Sequence, residues 1–237
     1  AAVGACCCGS TTACSIAVAA PEPRRRGEAA LCSCAGRRVQ WWPVTASGTA
    51  QSAYFNRVLG DGATPYWQLG TSGDSTYAYD ALGISNGLKG TGVTVAGTGA
   101  IGSGVGSTFS GTSSGRIGAA QKLVSPDDFS AEIWFRTTTN RGGKLFGWGS
   151  SQTSTSSNYD RHLYMLNDGR LSFGVFQNNT AKVVTTSATY RNGAWHHAVV
   201  TSGWAGTTIY VDGVQAAFDA NVMKGQEFDG YWRVGGD

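Results

Sequence analysis

Phe129-Ser130-Ala131-Glu132-Ile133-Trp134-Phe135-Arg136 alternates without a break. Phe129, Ala131, Ile133 and Phe135 fall on one side of an extended chain. Ser130, Glu132, Trp134 and Arg136 fall on the other. Successive side chains of a strand point to opposite faces, so this period predicts a half-buried β-strand. The same period recurs in Leu171, Phe173 and Val175, in Trp195, His197 and Val199, and in Ile209 and Val211. Between these runs lie Asn167-Asp168-Gly169 and Asp212-Gly213. Such pairs supply the positive φ angles of tight hairpin turns, so the connections are predicted to be antiparallel hairpins and not crossovers.

Upstream, shorter strands are predicted at Tyr66–Leu69, Val93–Val95, Ser107–Phe109 and Arg116–Ala119. Ala53–Leu59 is the one helical stretch, too short to form a layer. Ser150–Asn158 is almost all Ser, Thr and Asn and reads as an exposed loop. About a dozen short strands with Gly-rich turns imply an all-β fold of two packed antiparallel sheets.

The composition sets limits on function. Charged residues make up 14% of the chain, while 35 Gly and 11% aromatics suit a turn-rich β domain better than a disordered chain. Residues 1–40 carry five Arg and two Glu. That leaves 13 basic and 13 acidic residues of the 18 and 15 in the whole chain. The rest of the chain thus has no basic surplus, which argues against nucleic acid as a partner. No apolar run reaches the roughly 18 residues of a membrane-spanning helix.

All six cysteines (Cys6, Cys7, Cys8, Cys14, Cys32 and Cys34) lie in the first 34 residues, so the remainder must be stable without disulfides. Their spacing, a contiguous triplet and one Cys-x-Cys, lacks the paired knuckles of a zinc site. With Arg24-Arg25-Arg26 and Pro21-Glu22-Pro23 alongside, residues 1–50 show no structural period. We expect a disordered or processed leader there, without a packed core or regular sheet; Ala17-Val18-Ala19 resembles a signal-peptidase site. A folded domain is expected over 51–237.

Several segments of that domain have a familiar order. Phe129–Thr137 resembles the "sleeve" strand of laminin-G-like jelly-roll domains, and Gly142–Gly149 the strand after it. Tyr159–Met165 and Asn167–Val175 follow in the family's order. Asn192-Gly193-Ala194-Trp195-His196-His197-Ala198-Val199 is similar to its D-G-x-W-H-H-V segment, with Asn and Ala as departures. Ile209-Tyr210-Val211-Asp212-Gly213 matches its L-Y-V-D-G hairpin, and Asp80-x-x-Gly83-x-x-Asn86-Gly87 resembles an early loop.

The resemblance covers roughly residues 52–237. It implies a concanavalin A-like sandwich, secreted or at the cell surface, usually one module of a larger protein. Glycans or matrix and cell-surface proteins are the implied partners. Family members add a loop and a strand beyond the segment that Tyr231–Asp237 resembles, so the domain is expected to be incomplete at its C-terminus. The resemblance also implies a rim calcium (Ca2+) site, for which Asp80, Gly83 and Asn86 are the candidates; one Asp and some carbonyls fall short of the usual six to eight oxygens.

Trp148, Tyr164, Trp204, Tyr231 and Trp232 are candidate sugar platforms, since aromatic faces suit the C–H surface of a pyranose. No catalytic set stands out. His196 and His197 are adjacent and point to opposite faces of a strand, so they cannot easily share one metal ion. Glu132 is a lone outward acid, not one of the paired carboxylates of a glycoside hydrolase. His162 is expected to tie the Ser150–Asn158 loop to its strand. Asn178-Asn179-Thr180 is a glycosylation sequon. The expectation is a non-catalytic carbohydrate-binding or adhesion module, with a glycoside hydrolase or lyase of the same fold, or a structural spacer, as alternatives.

Overall fold

The structure is a computed structural model and describes residues 15–19, 48–70, 76–101 and 104–236. In chain order the elements are β1 (Ser15–Ala19), α1 (Gly48–Gly60), β2 (Ala63–Trp67), β3 (Tyr77–Ala78), β4 (Gly87–Lys89), β5 (Val93–Thr98) and β6 (Val105–Phe109). They continue with β7 (Arg116–Ala119), β8 (Leu123–Val124), β9 (Phe129–Phe135), β10 (Gly143–Gly149), β11 (Tyr159–Met165) and β12 (Arg170–Gln177). The last are β13 (Thr180–Thr189), β14 (His196–Gly203), β15 (Gly206–Val211), β16 (Val214–Asp219) and β17 (Asp229–Gly235).

Two antiparallel sheets face each other. Sheet A has the order β16-β15-β14-β9-β1-β2. Sheet B has the order β13-β12-β11-β10-β17-β7-β4-β3, with β8 pairing β17 off this path. The β5–β6 hairpin stands apart as a third, two-stranded sheet. With about 53% strand and 5% helix, the chain is the antiparallel all-β sandwich that its alternation predicts.

The core lies between the sheets. Phe129, Ala131, Ile133 and Phe135 of β9 are buried in strict alternation, as the opening stretch predicts. Phe129 meets Phe173 and Trp232 of the opposite sheet at ring distances of 6.1 and 5.3 Å. Trp148 and Trp232 sit opposite each other on β10 and β17 and pack edge to face at 5.2 Å. The hairpins are closed as expected: Asp212 and Gly213 both have positive φ, as do Asn178 and Asn179 between β12 and β13.

Two expectations change. The composition of residues 1–50 predicts no regular sheet there, yet Ser15–Ala19 pairs with β9 on one side and β2 on the other. A strand flanked on both sides has its backbone groups satisfied by its neighbours, so five residues need little pattern of their own. The six cysteines lie outside the described residues. The helix is longer than Ala53–Leu59; Tyr54, Phe55 and Leu59 pack on Val58, Ala63 and Tyr66 to make a small second core.

Candidate functional site

One end of the sandwich is a rim built from residues 125–128, the β14–β15 turn and residues 222–228. Thr207 Oγ1 donates to the Val222 carbonyl at 2.7 Å, and Ser202 Oγ donates to that of Met223 at 3.1 Å. Ser125 Oγ donates to the Gln226 carbonyl at 3.0 Å. These bonds fix the three segments against one another.

Arg161 braces the rim from behind. Its Nε donates to the Pro126 carbonyl at 2.7 Å, one terminal nitrogen to the Gln226 carbonyl at 2.8 Å, and the other to Asp127 at 3.3 Å. The side chain is 1% exposed. Beside it, the Asp160 carboxylate accepts the N–H groups of Arg161, Gln226 and Phe176. Burial pushes the Asp160 carboxyl up, and those three N–H donors and the guanidinium offset only part of the rise. Burial likewise lowers the Arg161 guanidinium, against the pull of Asp160 and Asp127.

Arg161 itself has φ of 52°, a left-handed conformation rare for a residue with a side chain, and the β10–β11 register shifts next to it. This bulge buries both Asp160 and Arg161, where a regular strand would bury one and expose the other. Asp160 and Arg161 thus serve the rim and do not assist His162.

On this brace stands Trp204, at the tip of the β14–β15 turn and 66% exposed. The Lys224 ammonium lies over its ring, 5.5 Å from the centroid. Lys224 is held by Asp127 at 3.0 Å and Glu227 at 3.3 Å, hydrogen bonds that keep its ammonium above the ordinary lysine range. Asp128 abuts Gly203, where a Cβ would overlap its carboxylate.

The other platform candidates fare differently. Trp148 and Trp232 are core residues, 0% and 2% exposed, so neither offers a ring face to a ligand. The pattern misses this because both strands are buried on their inner face and carry glycines beside the tryptophans. Tyr164 and Tyr231 are half-buried. His162 lies across Gly147, where no Cβ fits, and stacks on Tyr159 at 5.5 Å.

Arg233 ties down the serine-rich loop. The Arg233 guanidinium donates to the carbonyls of Ser151 and Ser154, both at 2.7 Å, and to Ser156 Oγ at 2.6 Å. It is wholly buried in doing so. An Arg in a strand gives no sequence signal of such a role.

A second cluster forms where α1 covers sheet A. Tyr54 donates to Glu132 Oε1 at 2.5 Å and accepts from Trp134 Nε1 at 3.0 Å. His197 stacks on Trp134 at 4.7 Å, with Nε2 3.4 Å from Glu132 Oε2. Burial alone would raise the Glu132 carboxyl, but His197 and Tyr54 outweigh it and hold the group below its usual range. The Tyr54 hydroxyl is raised by burial and by the Glu132 charge. Glu132 thus has partners that its local sequence does not show; Tyr54 is 78 residues away.

The Asp80 loop was the calcium candidate. Asp80 Oδ1 accepts the N–H groups of Tyr66 at 2.8 Å and Leu82 at 3.4 Å; Oδ2 accepts those of Ile84 at 2.9 Å and Ser85 at 3.0 Å. Asn86 Oδ1 accepts the Asp80 N–H at 3.0 Å, and Gly83 turns the loop with φ of 71°. A cation at this carboxylate would meet N–H donors where it needs oxygens, so these residues do not fit calcium. Among the described residues no group of three or more His, Cys, Asp or Glu could hold a metal ion.

These features define a two-sheet jelly-roll whose most exposed aromatic among the described residues, Trp204, stands on a loop rim. A laminin-G-type profile of the concanavalin A-like lectin/glucanases superfamily matches residues 109–237. The chain belongs to that superfamily.

Among solved structures it is similar to a native heptameric SAP-like pentraxin from Limulus polyphemus (18% identity, TM-score 0.38, covering 50% of this chain and 56% of that one). It is also similar to domains LG4–5 of the mouse laminin α1 chain (19%, 0.37, 48% and 31%). A third is the carbohydrate-binding module CBM66 from Bacillus subtilis (14%, 0.35, 70% and 86%). The matched region thus spans 56% of the pentraxin chain and 31% of the laminin fragment. A search of curated proteins finds no match.

Proposed function

We propose that the chain is a carbohydrate-recognition module acting outside the cell, with Trp204 as its sugar platform and no catalysis of its own. The observation that carries this reading is the rim itself. A two-residue turn holds an indole out in solvent, fixed by Lys224 and surrounded by hydrogen-bonding groups on a braced scaffold. An exposed Trp flanked by polar side chains suits a pyranose, whose C–H face stacks while its hydroxyls find acceptors and donors.

Hydrolysis or elimination would call for a general acid and base poised at an open site. The acid with the most elaborate surroundings is Glu132. Its oxygens are engaged by Tyr54 and His197 rather than facing a second carboxylate, an arrangement that docks α1 on sheet A. No described helix is long and apolar enough to cross a membrane.

A glycan array probed with the full chain and with Trp204→Ala tests the reading. Binding by the parent that disappears in the variant is expected. An array on which the parent binds nothing would leave a structural spacer as the better description.

A further inference from the structure

We infer that this rim selects uncharged sugars and turns away sulfated and uronate-rich polymers. The inference rests on Trp204 being the sugar platform and goes further by fixing the charge class of the ligand.

Three carboxylates stand at this rim: Asp127 and Glu227 hold Lys224, and Asp128 abuts Gly203 beside Trp204. Among the described residues two cations answer them, Arg161 and Lys224. Arg161 is 1% exposed, and its guanidinium already serves Pro126, Gln226 and Asp127. Lys224 gives two of its three N–H bonds to Asp127 and Glu227. Behind them lies Asp160, another carboxylate.

A sulfate or carboxylate only accepts hydrogen bonds, so it needs donors. Here it would find one remaining lysine N–H set between two carboxylates. A neutral sugar meets no such obstacle, because its hydroxyls can donate to Asp127 and Glu227 and accept from Lys224. Discrimination therefore comes from the repulsive element, a rim whose cations are already spent on its own acids.

Affinity electrophoresis or calorimetry with the full chain decides the matter. The neutral probes are dextran, galactomannan and a β-1,3-glucan; the anionic probes are heparin and polygalacturonate. Each is measured at roughly 0.1 M salt, where charges still act over about 10 Å. At least one neutral probe should bind, lose that binding in Trp204→Ala, and exceed both anionic probes by about tenfold or more, the factor that 1.4 kcal/mol represents. Glu227→Gln, at an exposed position, should improve anionic binding about two- to fivefold, the worth of one exposed charge, and so narrow the preference for neutral probes; an unchanged preference would count against the charge class.

An anionic probe that binds as tightly as the neutral ones, and is lost in Trp204→Ala, would overturn the charge class while leaving Trp204 as the platform. Glycan binding that survives Trp204→Ala, or no binding by any probe, would overturn both.

Discussion

Replacing Arg161 tests the brace behind the rim. Arg161→Ala removes hydrogen bonds to Pro126, Gln226 and Asp127 at 2.7, 2.8 and 3.3 Å. It also leaves the buried Asp160 without its cation. Breaking a buried pair by deleting one partner costs about 3–5 kcal/mol, because a desolvated charge is left uncompensated. For a domain of this size each kcal/mol moves the melting temperature by roughly 2–4 °C, so a fall of about 6–20 °C is expected.

The backbone supplies an internal control. At φ of 52°, Ala keeps the left-handed strain that Arg161 bears, whereas Gly does not. Arg161→Gly should therefore be the milder change by roughly 0.5–1 kcal/mol, even after its more flexible unfolded chain is counted. Elsewhere in a strand the order would be reversed. Urea denaturation of both variants, followed by tryptophan fluorescence, gives the comparison. A loss under about 1 kcal/mol for Arg161→Ala, or a Gly variant less stable than the Ala variant, would refute the reasoning.

Four further outcomes are expected. Trp148→Ala and Trp232→Ala should each cost about 3–5 kcal/mol in urea denaturation, and the double variant less than the sum because the rings touch; additive losses would mean they pack independently. Glu132 is held below its usual range in the folded state, so its contribution is present above the unfolded value of about 4.3 and is lost as pH falls through that value toward the folded one. Glu132→Gln should accordingly flatten the fall of the urea midpoint below about pH 4.5, and identical slopes would count against the cluster. Calcium should leave the melting temperature unchanged, whereas a hundredfold excess over its Kd would add about 2.7 kcal/mol if it bound. Asp80→Ala, which strips four N–H groups of their acceptor, should cost about 2–4 kcal/mol.

The sequence showed the layers better than it showed the contacts. β9 is legible because one face is buried and the other is not, so its alternation survives intact. Arg116–Ala119 and the Asp212-Gly213 turn are legible for similar local reasons. β14 is harder, because Val199 is buried as well as Ala198 and Val200, which erases the alternation.

The candidate site was legible only as a composition. Eight Trp announce that some are exposed, but the choice among them depends on register. Trp148 and Trp232 face inward because β10 and β17 pair directly, a pairing between segments more than eighty residues apart. Trp204 stands outside because a two-residue turn leaves it no neighbour strand. The roles of Arg161 and Arg233 were invisible, since each acts by folding back on loops that lie elsewhere in the chain.

β1 and β17 have a consequence for biosynthesis. β17 comes last in chain order yet lies inside sheet B, between β10 and β7; β1 comes first yet lies inside sheet A, between β9 and β2. The hairpins β10–β13 and β14–β16 join neighbours in sequence and can form as they leave the ribosome. Sheet B cannot close until β17 emerges, and β1, which can pair first with β2, stays open on its other side until β9 follows more than a hundred residues later. Until then β7 and β10 present bare edges to every other nascent chain nearby. The vulnerable interval is thus the one before β17 emerges, and a chaperone that shields those edges should raise the yield more than a slower rate of synthesis would.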